Sequence, residues 1–195
     1  PDYDYHELMD EVASLVQELL GRKIRRSKYW TVMKRFAGID PHSDFQSCAA
    51  KLASLNLSRQ TLSTLHLDDL LDLIFTQHVL TRLDGCFIYD YPVSQCALAR
   101  IRPGYPPVAE RFELFIDGIE IGNGYHELTD RDCHLERFAR DQRERARRGQ
   151  PTPEIDKDFI SALENGLPDC SGVALGIDRL FMLSQGQDSL DGLCW

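Results

Sequence analysis

Two acidic side chains, Glu113 and Glu120, flank an Asp117-Gly118 pair that lies between the β-prone runs Arg111–Ile116 and Ile119–Ile121. Asp-Gly between such runs is a strong hairpin signal. With Asp117 and Gly118 as the loop, Ile116 opposes Ile119, Phe115 opposes Glu120 and Glu113 opposes Gly122, which sets the two acids diagonally on one face. Two carboxylates beside open backbone suit Mg²⁺, which takes few protein carboxylates and fills its octahedron with water and phosphate oxygens. The same pair also reads as two solvent-facing acids on a half-exposed hairpin, and spacing alone favours that plainer reading.

Asn123 and Glu127 extend the polar set, but strict period-two alternation sends them to the face opposite Glu120. Glycine inside a strand pattern often marks a bulge, and one extra residue re-aims every later side chain. A bulge near Gly122 to Gly124 is therefore expected if these groups share one pocket.

Around this hairpin the chain has 195 residues and 43% hydrophobic content, enough for one main core. No apolar run approaches the roughly 18 residues of a membrane helix and no signal peptide opens the chain, so a cytoplasmic protein is expected. Cys48, Cys86, Cys96, Cys133, Cys170 and Cys194 form no C-x-x-C pair and read as reduced thiols. A formal charge of −9 opposes sequence-independent attachment to nucleic acid. A first residue of Pro1 reads as a processed, engineered or partial product.

The spacing predicts helices over Asp4–Leu20, Tyr29–Phe36, Asp44–Leu55 and Leu67–Leu80, with a break at Asn56–Ser63. Leu8, Val12, Leu15, Val16 and Leu19 form the apolar stripe of the first, Asp4 and Glu7 its capping box, and Tyr3 with Leu8 a hydrophobic staple. The basic run Arg22–Lys28 reads as a linker or edge strand. His42, His66 and His78 are isolated and read as packing or surface residues. Cys86–Tyr91 is a strand closed by Pro92, Ser94–Ile101 a second extended piece, and Arg102–Pro107 a loop. After the hairpin comes a helix over Asp130–Arg148 with Leu135, Phe138 and Ala139 inward; its mixed arginines and acids read as a solvated face. Another short helix covers Asp156–Asn165. Val173–Ile177 then reads as a strand running into a helix with Arg179 in its first turn, a frequent phosphate-site design.

The strings Gly118-Ile-Glu-Ile-Gly-Asn-Gly-Tyr-His-Glu-Leu-Thr-Asp130 and Gly166-Leu-Pro-Asp-Cys-Ser-Gly-Val-Ala-Leu-Gly-Ile-Asp-Arg-Leu180 resemble the class II aminoacyl-tRNA synthetases of lysyl type. The second string looks like their motif 3. Within that group the wording is most similar to the paralogues that lysylate elongation factor P. The resemblance implies an α+β fold, an incomplete class II antiparallel sheet with flanking helices. Residues 1–195 then form a partial catalytic core: 1–107 a mostly helical insertion, and 108–195 the hairpin and motif 3 region.

It also implies ATP and Mg²⁺ as cofactors and lysine or β-lysine as substrate, with elongation factor P as acceptor and a homodimeric full-length protein. Neither membrane nor nucleic acid is an expected partner. Residue by residue, Glu113 and Glu120 match the magnesium acids, Ile121 lies beside the nucleotide contact, and Gly176 and Arg179 match motif 3. Asn123 matches the residue near the lysine carboxylate and Glu127 the acid that receives a lysine ammonium. Glu120 and Arg179 are the implied catalytic pair. Ala174 stands where the tRNA synthetases usually carry glycine and would reshape the pocket floor. Motifs 1 and 2 are not found, and similarity thins toward Asp191–Trp195, so the 195 residues alone are expected to be inactive. A lysyl-tRNA synthetase fragment and a non-catalytic binding remnant remain as alternatives.

Overall fold

The computed structural model describes residues 3–55 and 57–191. Pro1, Asn56 of the predicted break, and Cys194 with the chain end from 192 to 195 lie outside them. In chain order the elements are α1 (Tyr5–Leu20), β1 (Arg25–Lys28), α2 (Tyr29–Ala37), α3 (Phe45–Lys51), α4 (Arg59–Thr64), α5 (Leu67–Ile74), β2 (Cys86–Pro92), β3 (Ile101–Arg102), β4 (Val108–Ile116), β5 (Ile119–His126), α6 (Arg131–Arg147), α7 (Lys157–Glu164), β6 (Ser171–Leu175) and α8 (Ile177–Ser184).

One six-stranded sheet runs β1-β2-β4-β5-β6, with β3 added beside β4. The fold is α+β, as the motifs implied, but the sheet is mixed and not wholly antiparallel, because β1 pairs parallel with β2. Parallel neighbours need a crossover, and the helical segment α2–α5 supplies it. Residues 1–107 are thus mostly helical while also contributing three strands. The basic run becomes an edge strand, where charged side chains discourage pairing with another sheet.

Opposed residues share a face of the sheet, and the register divides the core in two. Cys86, Ile88, Tyr91, Ala109 and Phe115 face the helices α2, α3 and α5, which close over them with Met33, Leu70 and Ile74. Phe87, Phe112, Leu114, Ile116 and Ile121 face α1 with its buried Tyr5, Met9, Val12 and Val16. The capping box of α1 is present, since Asp4 accepts from the Glu7 backbone and the Glu7 side chain accepts from the Asp4 backbone. The staple is not: Tyr3 is exposed and its hydroxyl donates to Glu11 at 2.6 Å. Leu15 and Leu19 are likewise exposed, because Tyr5 and Met9 fill the inward stripe instead.

Several predicted boundaries move. The long helix Asp44–Leu55 ends at Lys51 and continues as a tight turn over Ala53–Leu55. The break after it holds α4, started by the Ser58 hydroxyl on the Thr61 amide. The helix from Leu67 widens over Phe75–Val79 and tightens over Leu80–Arg82. Ser94–Ile101 is not extended; Val93–Gln95 form a helical turn and only Ile101–Arg102 pair with β4. The last strand begins two residues earlier than Val173. Among the described residues, no helix is long and apolar enough to cross a membrane.

Candidate active site

The hairpin turns at Asp117 (φ 51°) and Gly118 (φ 77°), both left-handed, as a two-residue turn matching the twist of the strands requires. Beyond it, Ile116 opposes Ile119 and Phe115 opposes Glu120, as expected. Then the register slips: Leu114 opposes Gly122, and Ile121 has no partner on β4. Glu113 therefore opposes Asn123, not Gly122. The irregularity lies at Ile121, one step ahead of the glycines expected to mark it. Those glycines answer to packing instead: a side chain on Gly124 would come within 2.3 Å of the Phe112 ring, and one on Gly122 within 2.6 Å of Leu175.

The extra residue reverses parity for the rest of β5. Arg111, Glu113, Phe115, Glu120, Asn123 and Tyr125 now share one face, and Ala174 joins them opposite Asn123 on β6. Glu127 arrives there too: Gly172 opposes Tyr125, and a side chain on Gly172 would meet Glu127 Oε1 at 2.6 Å. The Glu127 backbone is held from both sides, bridged to Ala99 and donating to the Cys170 carbonyl at 2.9 Å.

Arg111 organises the middle of this face. Its guanidinium donates to Glu113 Oε1, to the Gln95 carbonyl at 2.9 Å and to Asn123 Oδ1 at 3.3 Å, and it stacks 4.7 Å from the Tyr91 ring centre. The Tyr91 hydroxyl donates to Glu113 Oε2 at 2.6 Å, and Asn123 donates to the Tyr125 hydroxyl at 2.8 Å. Glu113 is thereby locked through both oxygens. Glu120 is exposed; partial burial and then the nearby charge of Glu113 raise its carboxyl above the usual range, with Arg179 and Arg111 opposing. A cleft of about 530 Å³ opens over these groups, lined also by Tyr29, Asp72, Phe75 and Gln95. Asp72 is open to solvent on its cleft side, yet surrounding protein and then Asp68 push its carboxyl up to about 6.

At the far end of β6 the chain turns into α8. The Gly176 amide donates to the Ile121 carbonyl at 2.8 Å, and Arg179 in the first turn reaches back to the Glu120 carbonyl at 2.6 Å. The bulge and the start of α8 are therefore tied together, with the Arg179 side chain exposed beside Glu120. The Ile121 side chain is buried in the α1 side of the core, so only its backbone belongs to the site.

The oxygens of Glu113 and Glu120 are hard donors whose like charges are brought close enough to interact, which a divalent cation would relieve. Among the described residues no group of three or more His, Cys, Asp or Glu is arranged for a metal.

Glu127 differs from the acid pair. Burial raises its carboxyl above the usual range, against the lowering influence of His134 and then His126. No side-chain hydrogen bond from Glu127 is made among the described residues, so its acceptor capacity is free for a ligand. Of the predicted site residues, Glu113, Glu120, Asn123 and Ala174 share one face of the sheet, Glu127 lies beside Gly172 at its end, Gly176 and Arg179 stand at the start of α8 next to Glu120, and Ile121 contributes backbone alone. Sequence reasoning missed Tyr91, Arg111, Tyr125, Gly172 and His134. Arg111 and Tyr125 were within reach, since they stand two residues from Glu113 and from Asn123 and Glu127 and so share their face. Tyr91 carried no such signal.

A family model described as tRNA synthetases class II (D, K and N) matches residues 3–193. Among curated relatives, the elongation factor P–(R)-β-lysine ligase of Yersinia enterocolitica is 45% identical over 97% of this chain and 60% of the relative. The Salmonella dublin protein of that name is also 45% identical with the same coverage, and that of Salmonella paratyphi B 44%. The chain spans about 60% of the length of these relatives.

Proposed function

The chain belongs to the class II tRNA synthetases of the D, K and N type, and on that premise we propose that it is the lysine-activating part of a ligase that modifies elongation factor P. The observation that carries the reading is the single face holding two carboxylates, a motif 3 arginine and a separate, desolvated acid at Glu127. The names of the relatives supply the acceptor.

In this reading the carboxylate of lysine or β-lysine attacks the α-phosphorus of ATP, forming an acyl adenylate as pyrophosphate leaves. The amine of an acceptor lysine then attacks the acyl carbon, an amide bond forms, and AMP departs with the carboxylate oxygen. Glu113 and Glu120 would hold magnesium, whose charge offsets that of the phosphates. Arg179 lies against the nucleotide beside Glu120. Asn123 orients the amino-acid carboxylate, while Glu127 receives an ammonium that would otherwise be desolvated without a charge partner. Ala174, exposed and opposite Asn123, sets the floor between these two ends. The protein's contribution is placement and fixed charge. A homodimer and a cytoplasmic location belong to the same reading.

Pyrophosphate exchange with lysine and with (R)-β-lysine, followed by label transfer to elongation factor P or to lysine tRNA, tests it. Amino-acid-dependent exchange with transfer to elongation factor P is expected from a chain lengthened to the span of its relatives. The 195 residues alone should be slower by at least about 10²- to 10³-fold, since among the described residues the arginine in the cleft wall, Arg111, is already committed to Glu113. Transfer to tRNA alone would reject the acceptor, and exchange without either lysine would reject the reading.

A further inference from the structure

Behind Glu127 lies a histidine that the motifs do not use. His134 is on α6 and only 3% exposed. Its Nε2 lies 2.6 Å from the carbonyl oxygen of Leu128, the residue after Glu127. A carbonyl can only accept, so Nε2 carries the proton and donates. The other ring nitrogen, Nδ1, is buried and has no hydrogen-bond partner. The ring is wedged between Phe138 and Phe159, with centroids 5.9 and 5.4 Å away. Phe159 belongs to α7, so the ring also contacts that helix.

The backbone at Glu127 leaves the sheet. Its amide is taken by Cys170 and the Leu128 amide by Leu98, both through the main chain. The Leu128 carbonyl is held by a side chain, and that side chain is His134. Resting on the reading of Glu127 as the ammonium acceptor, we propose that His134 is the positioning residue of the amino-acid pocket. Its Nε2–H fixes the Leu128 carbonyl, and with it the direction from which the Glu127 carboxylate leans over Gly172. A pocket that recognises one ammonium by one carboxylate needs its acid fixed to within about half an ångström, and a hydrogen bond to the backbone behind the acid is the device that does so.

Two substitutions separate this role from simple packing. His134→Gln keeps an amide N–H close to the place of Nε2 and loses the ring; His134→Phe keeps the ring between Phe138 and Phe159 and loses the donor. Lysine and ATP affinities are measured by calorimetry on the whole natural chain, with the thermal midpoint recorded alongside. If His134 positions Glu127, the phenylalanine variant loses roughly 10- to 100-fold in lysine affinity at unchanged ATP affinity. The glutamine variant then stays within a few-fold of the parent, even where its midpoint is lower. The reverse order, with glutamine impaired and phenylalanine intact, overturns the proposal, as does equal loss of both ligands. A parent chain that binds ATP but neither lysine nor β-lysine rejects instead the assignment of Glu127 on which this rests.

Discussion

In the proposed reading the two acids at opposite ends of the face, Glu113 and Glu127, serve different ligands. Glu113 is gripped by Arg111 and Tyr91, so its charge is fixed and already partly balanced, as suits one ligand of a shared cation. Glu127 is left without a donor and half desolvated, as suits a single mobile ammonium. Glu127→Gln should therefore weaken lysine binding by about tenfold or more and leave ATP binding nearly unchanged, because a charge-assisted bond is lost and no metal ligand is touched. Gly172→Ala should do the same with the carboxylate intact, since a methyl group at that position meets Glu127 Oε1 at 2.6 Å and pushes the acid off its seat. Calorimetry with each ligand separates the two effects. Equal losses for lysine and ATP in both variants would place Glu127 in the nucleotide site instead.

At the level of elements, the site depends on one unpaired residue. Ile121 re-aims Asn123, Tyr125 and Glu127 onto the face of Glu120, and its carbonyl anchors Gly176 at the start of α8. Inserting one alanine between Gly122 and Asn123 would shift the rest of β5 by one residue, turning Asn123 and Glu127 toward α1 and moving Gly124 off Phe112. The expected result is loss of lysine binding together with several degrees of thermal midpoint, read by calorimetry and circular dichroism. An unshifted midpoint with intact lysine binding would mean that the facing of Asn123 and Glu127 is not set by this register. The hairpin and the need for a bulge were legible because Asp117-Gly118 fixes the turn and because Glu120 and Glu127 conflict under period two. The bulge position was not, since glycine freedom pointed to Gly122 and Gly124, whose real constraints are Phe112 and Leu175 across the sheet. His134 was hidden for a similar reason: helical spacing marked Leu135, Phe138 and Ala139, while the buried position beneath Leu128 depends on where β5 ends in space. The parallel β1–β2 pair was also illegible, being a consequence of the α2–α5 crossover rather than of any local pattern.

Across the whole molecule, the face away from the candidate site carries a chain of charges that fastens the sheet to its surroundings. Tyr5 of α1 donates to Asp90 Oδ1 at 2.7 Å, Lys28 of β1 reaches Asp90 Oδ2 at 3.1 Å, and Arg102 of β3 joins Asp90 to Glu110 of β4, both at 2.8 Å. Glu110 then meets His126 Nδ1 at 2.5 Å, and His126 Nε2 meets Asp169 at 2.7 Å, just ahead of β6. His126 precedes Glu127, so this chain runs from the first helix to the neighbour of Glu127. Asp90 is its centre: burial pushes its carboxyl up, but Tyr5, Lys28 and Arg102 outweigh this and hold it below the usual range. A carboxyl depressed in the folded state stabilises the fold above its unfolded value of about 3.9, and that contribution disappears as pH falls through the lower folded value. Asp90 also has a left-handed backbone (φ 58°), which asparagine tolerates, so Asp90→Asn removes the charge without adding backbone strain. Partners that are part-exposed limit the cost to about 1–3 kcal/mol at neutral pH. Urea midpoints of parent and variant should therefore differ at pH 7 and converge as the pH falls below the usual carboxylate range and through the depressed range of Asp90, where the parent carboxyl loses its charge as well. A difference that persists unchanged into acid would show that Asp90 acts through shape and neutral hydrogen bonds, and that the ionic chain does not hold the sheet to α1.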